Sequence, residues 1–264
     1  MIFKRLVLFG LLLLHHSVDA AELDWHQAQY ITDSFFEIAL KSEYSKQPQV
    51  VRKWPITGIR YHYIHRVMDN RLHEELTELH LRHLQMITGL SIKQVKDVKD
   101  ANLTIVFSRE DSLKADLQNF FDMKSPKDQD YFYRNGVCLG NFSSQADSAI
   151  QKATVIIPVD RARKRGKLLA CVVEELTQIL GLANDSDSVF PSIFNDHSIN
   201  NLLTGLDYTL LKILYDQRLH TGMNKSEATP VVESIVKEFI KSGLVDNADK
   251  RVQSGGLYSL LGEL

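Results

Sequence analysis

The sequence predicts an α+β fold, a small mixed sheet packed by helices with extra helices at the N- and C-termini. Three features of the 264-residue chain lead there. Segments with strand-like alternation are confined to the region before about residue 160. Helical patterns dominate after it. Between them lies one strongly amphipathic segment, Leu168–Leu180, ended by Gly181. Strands gathered on one side of such a helix, and helices on the other, favour an α+β domain over an alternating α/β one.

In chain order, residues 1–20 carry the marks of a secretory leader. Lys4 and Arg5 precede the apolar run Leu6–Leu14, and Val18-Asp19-Ala20 puts small residues where signal peptidase cuts. The run is too short to span a bilayer, and no cysteine follows it to take a lipid anchor. The expected product is periplasmic or secreted, without an integral membrane anchor, and begins near Ala21. Residues 21–48 hold an amphipathic helix, Leu23–Tyr44, with Ile31, Phe35, Ile38 and Ala39 at helical spacing and a break at 45–49 around Pro48. Ile56–Ile64 alternates as a strand. Asn70–Thr88 reads as a long helix capped by Gly89, because glycine tolerates the left-handed conformation that ends helices. Leu103–Phe107 is a short apolar strand. Leu113–Tyr133 reads as a helix followed by an irregular loop. Val137–Phe142 and Thr154–Val159 are two more strands. Basic residues Arg161, Arg163, Lys164, Arg165 and Lys167 form a solvated entry to Leu168–Leu180. Helices are expected again at Leu202–Tyr215 and Val231–Lys241, the latter in a C-terminal extension, 226–264.

Removing Lys4, Arg5 and Asp19 from 31 basic and 33 acidic residues leaves 29 and 32, or net −3. That balance argues against nucleic acid as a partner. Gly-rich phosphate loops and Gly-x-Ser-x-Gly turns are absent from the sequence. The two cysteines, Cys138 and Cys171, predict one disulfide in an oxidising compartment, the alternative being two buried unpaired thiols. If joined, they tie the segment before the amphipathic helix onto it.

Residues 174–185, Glu-Glu-Leu-Thr-Gln-Ile-Leu-Gly-Leu-Ala-Asn-Asp, have the frame of a zinc-protease helix without its ligands. That motif sets two histidines four apart on one helical turn, a glutamate after the first as general base, then a glycine and a third ligand. Here Glu174, Gln178 and Asn184 stand at the histidine positions, Glu175 at the base and Gly181 at the glycine. Cys171, Glu174, Glu175 and Gln178 share one helical stripe opposite a broad apolar face. Such a stripe also suits an ordinary solvent-facing helix. The downstream pattern favours the first reading. Asn184-Asp185 follows at ligand spacing, Ser192-Ile-Phe-Asn-Asp196 falls where that fold makes a tight turn with Phe194 in place of a methionine, and Leu206–Tyr215 follows as a closing helix.

In architecture the chain resembles the metzincin branch of the zinc proteases, nearest the matrixins. In its residues it resembles an exported bacterial family known as domain of unknown function 2927. Cys171–Asp185, Ser192–Asp196 and Leu206-Asp207 with Leu214-Tyr215-Asp216 carry that match, and Trp54 and Ala101-Asn102, each with its following strand, extend it to about residues 50–225. The resemblance implies a zincin-like domain over 49–225.

Glu174, Gln178, Asn184 and Asp185 form an oxygen-only ligand set. It suits calcium, magnesium or manganese better than zinc and acidifies bound water less. The leading expectation is therefore a pseudoprotease with no cofactor, holding a peptide or protein segment in its cleft by strand addition. The alternatives are a hydrolase with a divalent cation and Glu175 as base, and a structural envelope protein whose Glu174, Glu175 and Gln178 satisfy local hydrogen bonds. His73, His80 and His83 read as residues of a solvated helix face, His62 and His65 as facing opposite ways on a strand, and His197 as a replacement ligand from the loop.

Overall fold

The structure is a computed structural model, which describes residues 24–42 and 49–260. The leader at 1–20 and the break around Pro48 lie outside the described residues. Five strands form one sheet: β1 (Ile59–His65), β2 (Ile92–Gln94), β3 (Leu103–Ser108), β4 (Leu139–Ser144) and β5 (Ile150–Pro158), in the order β2-β1-β3-β5-β4. Every neighbouring pair is parallel except β4–β5. The fold is thus mixed α+β, with a mostly parallel sheet whose one antiparallel strand is an edge. Every residue of β3 is buried, as expected of a central parallel strand covered on both faces.

One face of the sheet carries Tyr61, Tyr63, Ile105 and Phe107 into the main core, against α2 (Asn70–Thr88) and α6 (Leu168–Gln178). The opposite face carries Val106, Leu139 and Ile156 into a smaller core with Leu113 and Leu117 of α3 (Leu113–Phe121). Around these lie α1 (Ala28–Ala39), α4 (Pro126–Asn135), α5 (Val159–Lys164), α7 (Gly205–Leu214), α8 (Lys225–Lys241) and α9 (Ala248–Gln253). The main core continues from Trp25 to Leu257, so the terminal helices belong to the same packed body as the sheet. No described helix is long and apolar enough to cross a membrane.

The α2 boundaries agree with the pattern, Gly89 taking φ 76° at its end. The stretch after α3 is a helix, α4, rather than an irregular loop. It starts on the Ser125 hydroxyl with Pro126 at its first position, but none of its residues is fully buried, and only Phe132 and Tyr133 pack, half-buried, against the smaller core. The strand β2 and the helix α5 were not expected. Arg161, placed on a solvated entry, is buried against the Glu110 carboxylate (3.1 Å) and the Tyr133 ring. The supposedly solvated histidines of α2 are buried as well. His73 stacks on Phe107, His80 meets Thr177 of α6, and His83 lies under Gly255 and Gly256. The Thr177 hydroxyl donates to the Val173 carbonyl (2.6 Å), so His80 Nε2 is the donor in its 3.0 Å bond to Thr177.

Candidate functional site

Helix α6 buries Val172, Val173 and Leu176 in the core, which fixes the rotation of its other stripe. It ends at Gln178, earlier than the pattern implies, and Gly181 lies in the turn beyond. The carbonyls just past its end find side-chain donors. Trp54 Nε1 donates to Ile179 (2.8 Å) and the Tyr215 hydroxyl to Leu180 (2.9 Å). Gly181 has φ 115°, and a Cβ there would stand 2.0 Å from the Arg52 carbonyl oxygen. Both its conformation and the close backbone approach require glycine.

The polar stripe of α6 floors a cleft of about 560 Å³, with Cys171, Glu174, Glu175 and Gln178 among its lining residues. One wall is the start of β4 with the end of α4, presenting Tyr131, Phe132, Gly140 and Phe142. The other is the turn after α6, with Asp185, Ser186, Asp187 and, further on, Asp196. Among the described residues no strand lies beside the outer edge of β4. Strand and helix pass so closely that a Cβ on Gly140 would stand 2.9 Å from Glu175 Oε2, and Glu175 is buried there.

Cys138 and Cys171 form a disulfide, with Cα atoms 5.8 Å apart, that fastens the start of β4 to α6. Replacing both by serine is expected to destabilise the protein by about 3–4 kcal/mol, the chain entropy of closing a loop of 33 residues. The urea midpoint reads this loss, and an unchanged midpoint would contradict it. Amide exchange at 139–142 should rise in the same variant, because the bond anchors that cleft wall.

The sequence-predicted site residues separate into two groups. Glu174, Glu175, Gln178 and Asp185 meet in the cleft, where Gln178 Nε2 donates to Asp185 Oδ1 (2.7 Å). Asn184 does not line it. Its amide donates to the Glu37 carbonyl (3.0 Å) and its backbone N–H to the Ile38 carbonyl (3.1 Å), both at the end of α1. His197 is exposed, with Nε2 3.4 Å from an Asp187 carboxylate oxygen. Asp196, which the sequence reading noted only as part of the tight turn, comes into the cleft. One carboxylate oxygen from each of Glu174, Asp185 and Asp196 lies within 4.8 Å of the other two. Such a donor set fits a hard divalent cation and offers zinc none of its preferred nitrogen or sulfur ligands.

The loop that delivers Asp185, Asp187 and Asp196 is held from beneath. Ser186 N–H donates to the Phe194 carbonyl, Phe194 is fully buried, and the Asn195 amide spans the Asp187 and Val189 carbonyls. Under this turn sits Asp207, in the first turn of α7. Its Oδ1 accepts from the Ser192 hydroxyl (2.6 Å), and its Oδ2 from the N–H groups of Ile193 (3.1 Å) and Thr204 (2.8 Å). Sequence reasoning missed this anchor, although Thr204-x-x-Asp207 is the spacing of a capping box, and the box is formed.

The family described as a protein of unknown function, DUF2927, matches residues 28–234. The chain belongs to that family. Its match takes in α1, the whole sheet, the cleft and most of α8, so the acidic cleft lies wholly within the family's domain. No curated protein matches the chain.

Proposed function

We propose that this member of the family is an exported, zincin-like binding protein. An extended segment of a partner would enter the cleft and add to the outer edge of β4, and the protein would not carry out zinc proteolysis. The observation that carries the reading is the fate of the third ligand position: Asn184 is committed to the backbone of α1, while Glu174 and Gln178 stand where imidazoles would be needed. Two further features support it. An antiparallel edge strand beside the motif helix gives the cleft a row of backbone groups for strand addition, and the disulfide suits an oxidising compartment. The test is incubation of the purified mature protein with a mixed peptide pool and added zinc. No cleavage is expected. Hydrolysis that disappears in Glu175→Gln would overturn the proposal.

A second reading is favoured by the three converging carboxylates. Glu174, Asp185 and Asp196 would hold calcium, magnesium or manganese, and Glu175 would act as a base beside it. A cation present at about a hundred times its Kd would then add about 2.7 kcal/mol and raise Tm by several degrees. The rise should vanish in Asp196→Asn. A Tm indifferent to all three cations would remove this reading.

A further inference from the structure

We infer that the C-terminal segment 254–260 is an acid-released latch. It closes over the neutral imidazole of His83, and a proton taken up by that ring detaches it and frees the end of the loop that carries Asp185, Asp187 and Asp196. The geometry of closure is the first argument. His83 is buried near the end of α2, and the chain crosses its ring at Gly255 and Gly256. A Cβ on Gly256 would stand 2.4 Å from His83 Nδ1, and one on Gly255 3.3 Å from Nε2. Gly256 also takes φ 61°. Main chain therefore lies against both ring nitrogens, and glycine is what lets it come so close. A proton on either nitrogen places a charge beneath backbone that shuts out water.

The second argument is the company the ring keeps. Burial lowers His83 to about 4, and among the described residues no carboxylate counteracts it. On the same helix, buried His80 is held neutral as well, and Arg82 and Glu78 pair with each other. From α7, Lys212 Nζ donates to the Ile87 carbonyl (3.3 Å) and brings positive charge to this end of α2. In α9, beside Lys250 and Arg251, Asp249 is engaged by the Gly205 N–H (2.8 Å). The α6 residue at His80 is the neutral Thr177, and Tyr258 is the one titratable group of the latch. A histidinium here gains no partner, and opening the latch hydrates it at far lower cost than unfolding the domain. The depressed folded value makes closure fully favoured above about pH 6.5 and weaker as pH falls toward 4.

The third argument is what the latch holds. The Tyr258 hydroxyl donates to the Leu203 carbonyl (2.8 Å), and Leu257 is buried in the main core. Leu203 stands at the end of the acidic loop, so detachment removes one of that loop's ties.

Amide exchange on the full chain at pH 7 and at about pH 4.5, corrected for intrinsic rates, tests this. The opening equilibrium of 256–260 should rise roughly fiftyfold in acid, well ahead of β3, and that of 201–204 should rise with it. In His83→Gln, shown to be folded by circular dichroism, the rise at 256–260 should stay below about threefold, because glutamine takes no proton. An unchanged latch in the wild type, or an equal rise in His83→Gln, would overturn the proposal. A rise shared equally by β3 would be global unfolding and would overturn it too. Release of 256–260 with 201–204 still protected would overturn the coupling to the acidic loop.

Discussion

Asp207→Ala is expected to destabilise the protein by about 3–5 kcal/mol, through stranded donors rather than lost packing. The carboxylate is fully buried and takes the Ser192 hydroxyl and the N–H groups of Ile193 and Thr204, with the Thr204 hydroxyl 2.9 Å away. Alanine takes this acceptor from the Ser192 hydroxyl and from the N–H groups of Ile193 and Thr204, while the Thr204 hydroxyl keeps the Pro191 carbonyl at 2.9 Å. The damage should appear first in the loop that carries Asp185, Asp187 and Asp196, so proteolytic nicking between residues 185 and 204 should precede global unfolding. Protection of that loop equal to the wild type would contradict the anchoring role.

The same residue has a pH signature. Burial pushes the Asp207 carboxyl up to about 6, from an ordinary 3.8, against the hydrogen bonds that pull it down. A folded pKa above the unfolded one means that its contribution is full below about pH 4 and is lost as pH rises through about 6. The stability gap between wild type and Asp207→Asn should therefore narrow by about 3 kcal/mol from pH 4 to pH 7. Urea midpoints of the two proteins across that window measure it. A gap that widens with pH would show the ionised form to be the one that folding favours.

Acid should act in the opposite direction through α2. Burial holds His80 at about 3 and His83 at about 4, both below an ordinary 6.5, and the nearby His83 further depresses His80. A folded pKa below the unfolded one contributes stability that is complete above about pH 6.5 and is lost as pH falls toward the folded value. For His80 alone the loss reaches about 4–5 kcal/mol near pH 3, a large part of the stability of an ordinary domain. His83 adds to it. Since His80 joins α2 to Thr177 of α6, the floor of the cleft loosens with the rest of the core. Glutamine at 80 keeps a donor for Thr177 and cannot take the proton. Between pH 6.5 and pH 4 the His80→Gln variant should lose about 3 kcal/mol less than the wild type. Equal losses in the two proteins would exclude His80 as the source.

Some elements were legible because their cause is local. The α2 helix shows an apolar period between a break and Gly89, and α6 shows a broad apolar face, so both are visible in the pattern. The strands β1, β3, β4 and β5 are legible as short apolar or alternating runs. Their order is not, because strand neighbours are chosen by packing across long stretches of chain. The helix α4 escaped because none of its residues is fully buried and only Phe132 and Tyr133 pack, half-buried, against the smaller core, and β2 because it has three residues. The histidines of α2 look like a solvated face until the sheet, α6 and Gly255-Gly256 cover them.

The candidate site divides in the same way. The stripe Cys171, Glu174, Glu175 and Gln178 is a property of helical spacing, so the sequence by itself determined that these groups share one direction, and that no imidazole stands among them. Only the tertiary structure decided that Asn184 turns to α1, that Asp196 joins Glu174 and Asp185, and that Gly140 lets β4 close over Glu175. The physical reason is range. Helical periodicity is set by backbone geometry within a few residues, whereas the path of the loop from 182 to 204 is set by a buried carboxylate and hydrogen bonds to segments far away in the chain, which local spacing does not encode.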